Sequence, residues 1–304
     1  MKFDTMGFKS FFTILCASVA FACGAMAQTV SNSLQMNAFD AIEAADEFEI
    51  TLSRAPEYSV SWTIDSPISE LVEIYVRGRV LKIDFNRKGM SSELKKTYKG
   101  RNARKPVLKV EVYAPEISSV SLAGKAVMTV SDHEFEAGRF QVSLAGNARL
   151  SGLSVSSETF ECSVVKGTAL SASVNSTDIA VKTANSAAVS LKGRASRLDL
   201  QSTGSSAINL SGAYKSITLK TSGSSSVKID GRTEDLLIDS ANSSVIEASS
   251  LKTASCQVIM ANSSSALVAP ERLLKITMKG GKLSFSGNPR IEITDIQSAS
   301  VHKL

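Results

Sequence analysis

From residue 116 onward one phrase returns at nearly constant spacing: alternating apolar residues, a small residue, Gly or Asn, and another small residue. The Gly or Asn stands at Gly124, Gly146, Gly167, Asn185, Gly204, Gly223, Asn242, Asn262 and Gly280, with successive spacings of 22, 21, 18, 19, 19, 19, 20 and 18 residues. A fixed period near 20 constrains the fold more than any other feature of this chain. Units that short cannot bury an apolar face alone, so they must stack. The exchange of Gly with Asn has a backbone cause. Gly enters left-handed conformations without a Cβ penalty, and Asn is the best substitute among residues with side chains. One positive φ, repeated at one tight turn per unit, accounts for both.

The flanks alternate with period two, as half-buried strands do. Leu198 and Leu200 precede Gly204, and Ile208 and Leu210 follow it; Ile217 and Leu219 precede Gly223, and Val227 and Ile229 follow it. No stretch keeps apolar residues at i, i+3, i+4 and i+7. The expected fold is therefore all-β: a single-stranded parallel β-helix, right-handed, of about nine coils over residues 116–290. Coils stacked at about 4.8 Å make a rod of roughly 40 Å. Ladders of Val, Ile and Leu need few aromatic residues, and the chain has only 6%.

Outside the repeat, Lys2 and Lys9 precede an uncharged run from Phe11 to Ala27 that ends in Ala25-Met26-Ala27. This reads as a secretory signal peptide over residues 1–27, with lipidation at Cys23 the minor alternative. Residues 28–38 are expected to be a flexible N-terminus. Residues 39–115 alternate like strands without sharing the period, and are expected to cap the solenoid, whose open end would otherwise expose apolar side chains and strand edges. Arg77-Gly78-Arg79 is the expected turn of a hairpin within it. Residues 291–304 are a last strand or tail.

Export would leave Cys162 and Cys256. They fall five coils apart, about 24 Å along the rod, whereas a disulfide needs Cα atoms within about 7 Å. Two free, mostly buried thiols are expected. The coil around Cys162 is ambiguous, because Phe160, Cys162 and Val164 fit a register shifted by one.

Within residues 87–105 a basic segment carries Lys95, Lys96, Lys99, Arg101, Arg104 and Lys105, a candidate contact for an anionic glycan, lipopolysaccharide or phospholipid headgroup. It lacks the interleaved aromatic residues of a single-stranded nucleic-acid platform. A net charge of +5, spread along the chain, gives no other argument for nucleic acid. No HExxH, CxxC, GxSxG, P-loop or repeated calcium motif occurs, and the only histidines are His133 and His302. No catalytic, metal or cofactor residues are assigned. Asp178, Asp199, Asp230 and Asp239 occupy different offsets from their turns and should not converge.

Phe39-Asp40-Ala41-Ile42, Gly78-Arg79-Val80-Leu81-Lys82-Ile83, Val110-Glu111-Val112-Tyr113-Ala114-Pro115, the recurring small-Gly/Asn-Ser turns and the closing Phe285-Ser286-Gly287-Asn288-Pro289 together resemble the bacterial putative auto-transporter adhesin, head GIN domain family, over residues 39–290. The family's Ser-Gly-Ser turn becomes Ala-Asn-Ser in places. The resemblance implies a parallel β-helical envelope protein with an adhesive or interaction role and no catalytic residues. The expected function is an exported, non-enzymatic module of the periplasm, outer-membrane surface or medium. It would present Ser/Thr/Asn turn ladders to a glycan or envelope-protein partner, without nucleic acid and without a membrane span in the mature chain. A β-helical carbohydrate-active enzyme and a structural subunit of an envelope complex are the alternatives.

Overall fold

The computed structural model describes residues 29–98, 103–131 and 133–304; the signal segment, Cys23, Lys99 and Arg101 lie outside them. Strand accounts for 72% and helix for 6%, wound as a β-solenoid of about ten turns. Among the described residues no helix is long and apolar enough to cross a membrane.

Each coil lies parallel on the one before it. Residues 169–184, 188–203, 207–221 and 226–240 stack at a constant offset of 19, so that Val181, Leu200, Leu219 and Ile238 form one file and Val189, Ile208 and Val227 another. Alternation puts these side chains inside, and all are essentially inaccessible. Removing such a side chain from water is worth about 1.5–3 kcal/mol, which is how short strands with little local preference hold together. Phe140 and Phe160, in neighbouring coils, stack with ring centroids 6.2 Å apart.

The nine turn residues have φ between 54° and 99°. Close approach adds to the conformational reason for a missing side chain: a Cβ on Gly223 would lie 2.6 Å from the Gly204 carbonyl oxygen, and one on Gly146 2.7 Å from that of Gly124. These carbonyls accept backbone bonds from the next turn, Ser224 N–H to Gly204 at 2.7 Å and Ser243 N–H to Gly223 at 2.8 Å. Two details differ from the sequence reading. Val165 lies opposite Ala184, so Lys166 (φ 61°), not Gly167, faces Asn185; Gly167 (φ 75°) is the next residue of that turn. The one-residue ambiguity around Cys162 resolves here, and Cys162 itself stands opposite Val181 in the core. The file also continues below Gly124 to Asp46 (φ 63°), Asp being another residue that tolerates the left-handed region.

Asp46 belongs to a coil formed by residues 41–44 and 49–54, which pair in parallel with 119–122 and 127–130. Beneath it lie 80–83 and 109–114, again parallel. The end is covered by antiparallel strands: 72–77 on 80–85, and 59–65 between 108–113 and 29–35. Residues 29–35 are thus a paired strand, correcting the flexible N-terminus expected at 28–38. Most of that strand is exposed, so no apolar period marks it. The hairpin at Arg77–Val80 is present, with Gly78 and Arg79 both at positive φ as a two-residue turn requires. At the far end, 290–297 and 300–303 complete the stack on 273–279 and 282–285. Cys162 and Cys256 are free and buried.

Candidate functional site

The turn ladder is only half available to a partner. Its residues one position past the marker, such as Ser205, Ser224 and Ser243, are exposed. Those two positions past it, Ser206, Ser225, Ser244 and Ser264, are buried to 1% or less. Their hydroxyls donate inward to turn carbonyls, Ser244 to Ala241 at 3.0 Å and Ser264 to Ala261 at 2.9 Å. Thr183, Ser202 and Ser225 are linked through their hydroxyls at 2.8 and 2.9 Å. A buried hydroxyl without a partner costs about 1–3 kcal/mol, so these bonds keep the turns together rather than face a ligand.

The basic segment is partly committed: among its described cations Arg87, Arg104 and Lys105 are ion-paired, and Lys88, Lys95 and Lys96 are not. Lys95 and Lys96 lie on the short helix Ser92–Tyr98. Arg104 reaches the fully buried carboxylate of Asp65 at 2.7 Å, and the Tyr98 hydroxyl and the Val107 N–H also donate to that carboxylate. Lys105 binds Glu49 at 2.6 Å, and this hydrogen bond holds the Glu49 carboxyl below its ordinary value. A hollow of 550 Å³ opens here over Ile68, Phe85 and Met90, with Arg87 and Lys125 also on its rim. Arg87 is paired with Asp46, and Lys125 with Glu47 at 2.8 Å. Of the rim cations, only Lys95 is without an ion pair among the described residues.

A larger concavity of 1450 Å³ lies at the corner opposite the marker turns. Gly193, Gly212 and Gly231 form its floor, stacked in one file. Their φ values of 153°, 143° and 112° belong to Gly. A Cβ on Gly193 or Gly212 would fall 1.8 Å from the carbonyl oxygen of the coil below, and one on Gly231 1.9 Å. The file begins and ends where side chains return, at Val174 below and Leu251 above, both buried. Three absent core-facing side chains therefore let the surface sink at this corner, and the concavity continues down to Ser156 and Ser157, two coils below Arg194. Tyr214 is buried in the adjoining file, its hydroxyl donating to the Ser211 carbonyl at 3.2 Å. Burial, reinforced by Asp230, pushes that phenol up to about 12.

The walls are hydroxyls and charges. Ser173, Lys192, Ser211 and Asp230 form one file beside the glycines, and Asn175, Arg194, Ala213 and Arg232 the other; Lys215 lies one residue past Tyr214. Among the described residues Lys192, Arg194, Lys215 and Arg232 make no ion pair, and Asp230 is the only carboxylate in the lining. The groove thus holds four unpaired cations among the described residues, the smaller hollow one. Its signal was present in the sequence as three glycines 19 residues apart, but their neighbours vary in size, unlike the small flanks of the marker turns.

Among the described residues the four aspartates do not converge. Asp178 and Asp199 share Arg197, at 2.9 and 3.6 Å, while Asp230 and Asp239 lie in other files. Among the described residues no three His, Cys, Asp or Glu side chains gather as a metal site.

Solved structures carry the same fold. A putative adhesin from Parabacteroides distasonis ATCC 8503 is 18% identical with a TM-score of 0.51, covering 91% of this chain and 97% of its own. A putative adhesin from Parabacteroides merdae ATCC 43184 is 15% identical with a TM-score of 0.50 over 91% and 96%. A putative lipid binding protein from P. distasonis is 17% identical, with a TM-score of 0.49 over 91% and 96%. At these identities the likeness of the two adhesins is one of fold. No curated protein matches the chain. The family model for the putative auto-transporter adhesin, head GIN domain matches residues 38–212 and again 169–289, and the chain belongs to that family.

Proposed function

We propose that this protein is an exported, non-enzymatic envelope module that grips an extended polar partner, a glycan, in the corner groove. The carrying observation is the groove itself: a floor of stacked glycines between walls of Ser, Asn, Lys and Arg. Stacked backbone with no side chain above it admits a bulky chain closely, and hydroxyls and amides around it offer the hydrogen bonds that sugar hydroxyls need. Family membership supports an adhesive role, and the signal-like first 27 residues support export. The exposed half of the turn ladder is a secondary surface.

Ala213 tests this reading because it is half-buried on the wall between Arg194 and Arg232. Ala213→Trp fills the groove while leaving every charge in place. On an array of bacterial and host glycans, wild type should bind a discrete set and the variant should lose at least about tenfold in signal, with an unchanged melting temperature. Equal binding by the folded variant, or no glycan bound by wild type at any salt concentration, overturns it.

A further inference from the structure

Resting on that reading, we infer that the groove selects acidic polysaccharides, chains bearing carboxylate or sulfate groups, over neutral ones. Two independent observations lead there. First, the lining holds four cations against one carboxylate, and none of the four is ion-paired among the described residues. Four cations converging on one concavity with a single carboxylate in its lining direct a positive field outward.

Second, the register spaces these cations for a repeating ligand. Arg194 and Arg232 occupy one file two coils apart, about 9.6 Å along the rod, with Ala213 between them. The small residue keeps the path open, and Lys215 stands beside it on the middle coil. Lys192 lies across the glycine floor from Arg194. An anionic chain laid along the axis meets a guanidinium at each end, the Lys192 ammonium level with Arg194, and the Lys215 ammonium on the middle coil. Guanidinium binds carboxylate or sulfate in a fork, whereas ammonium acts as a point charge. Asp230 limits the sign preference at one wall, and Glu234, one residue past Thr233, stands nearby; both would resist an anion at the upper end. The lining contains no exposed aromatic ring on which a nucleobase could stack. That favours a sugar polymer over a single-stranded nucleic acid.

The test uses the full mature chain with polygalacturonate, its fully methyl-esterified form, heparin and single-stranded DNA as probes in calorimetric titrations. Esterification keeps the sugar backbone and removes the charge. Polygalacturonate or heparin should bind, the methyl ester should bind at least about tenfold more weakly, and affinity should fall about tenfold between 50 and 300 mM salt. Arg194→Gln/Arg232→Gln should lose about 25-fold, some fivefold for each half-exposed ion pair. Equal binding of acid and ester, full affinity in the double variant, no binding of either acidic glycan, or DNA bound as tightly as the glycan would each overturn the inference. If a neutral glycan binds instead and Ala213→Trp abolishes it, the charge selection fails while the groove assignment stands. If Ala213→Trp changes nothing, both fail.

Discussion

Gly212→Ala should abolish the wild-type unfolding transition or lower stability by more than about 4 kcal/mol. Two costs combine at this one atom. The φ of 143° is a conformation that side-chain-bearing residues rarely adopt, and the new Cβ would fall 1.8 Å from the Gly193 carbonyl oxygen. That oxygen belongs to the coil below, so it cannot retreat without separating two coils of the stack. Gly223→Asn is the matched comparison: it changes a glycine in the marker file, where Asn242 and Asn262 already stand at φ 64° and 60°. Its Cβ would still lie 2.6 Å from the Gly204 carbonyl oxygen, so it should cost about 1–3 kcal/mol, clearly less than Gly212→Ala. Urea unfolding followed by circular dichroism reads both. A Gly212→Ala transition within about 1 kcal/mol of wild type would mean that the corner is not built as described.

Alkaline pH should destabilise the protein through its two thiols. Burial pushes Cys162 and Cys256 from 9.0 up to about 12. In the unfolded chain each thiol ionises as pH passes 9, whereas in the folded chain it stays protonated until about 12. Folding therefore favours the protonated form. The contribution is fully present below pH 9 and is lost as pH rises toward 12, by up to about 1.4 kcal/mol per thiol per pH unit. Two thiols give a loss of about 4 kcal/mol between pH 8 and pH 10.5, and Tyr214, raised from 10.0 to about 12, adds in the same direction. Urea titrations at the two pH values should show this loss in wild type and a clearly smaller one in Cys162→Ala/Cys256→Ala. An identical pH dependence in both proteins would place the thiols in contact with water.

The marker residues and apolar ladders were legible because each coil repeats the same local demand: one left-handed turn and alternating strands on either side. Gly78-Arg79 was legible as a local hairpin for the same reason. The order of the first coils was not. Ala41 pairs with Val80 and also with Ser119, and those distant pairings leave no periodic trace in a segment used once. The exposed strand at 29–35 has too little apolar contrast to announce itself. Ser205 and Ser206 are chemically identical neighbours, yet one faces water and the other bonds inward; only turn geometry separates them. Lys166 in a Gly/Asn file shows that the left-handed position can be imposed by the coils above and below it. The groove escaped sequence reading because its floor consists of side chains that are missing.

The whole account depends on coils advancing in one direction at a 19-residue register, since that advance alone brings Gly193, Gly212 and Gly231 together. Spin labels on cysteines at Thr129 and, in turn, at Asn209, Lys228 and Glu247 test it by pulsed electron double resonance in the Cys162→Ala/Cys256→Ala background. All four face one outer side; Asn209, Lys228 and Glu247 lie in successive coils, and Thr129 lies four coils below Asn209. The distances should grow in equal steps of about 4.8 Å, near 19, 24 and 29 Å before the label tethers are added. Distances that stay constant, shorten or scatter across the series would contradict the stacked winding.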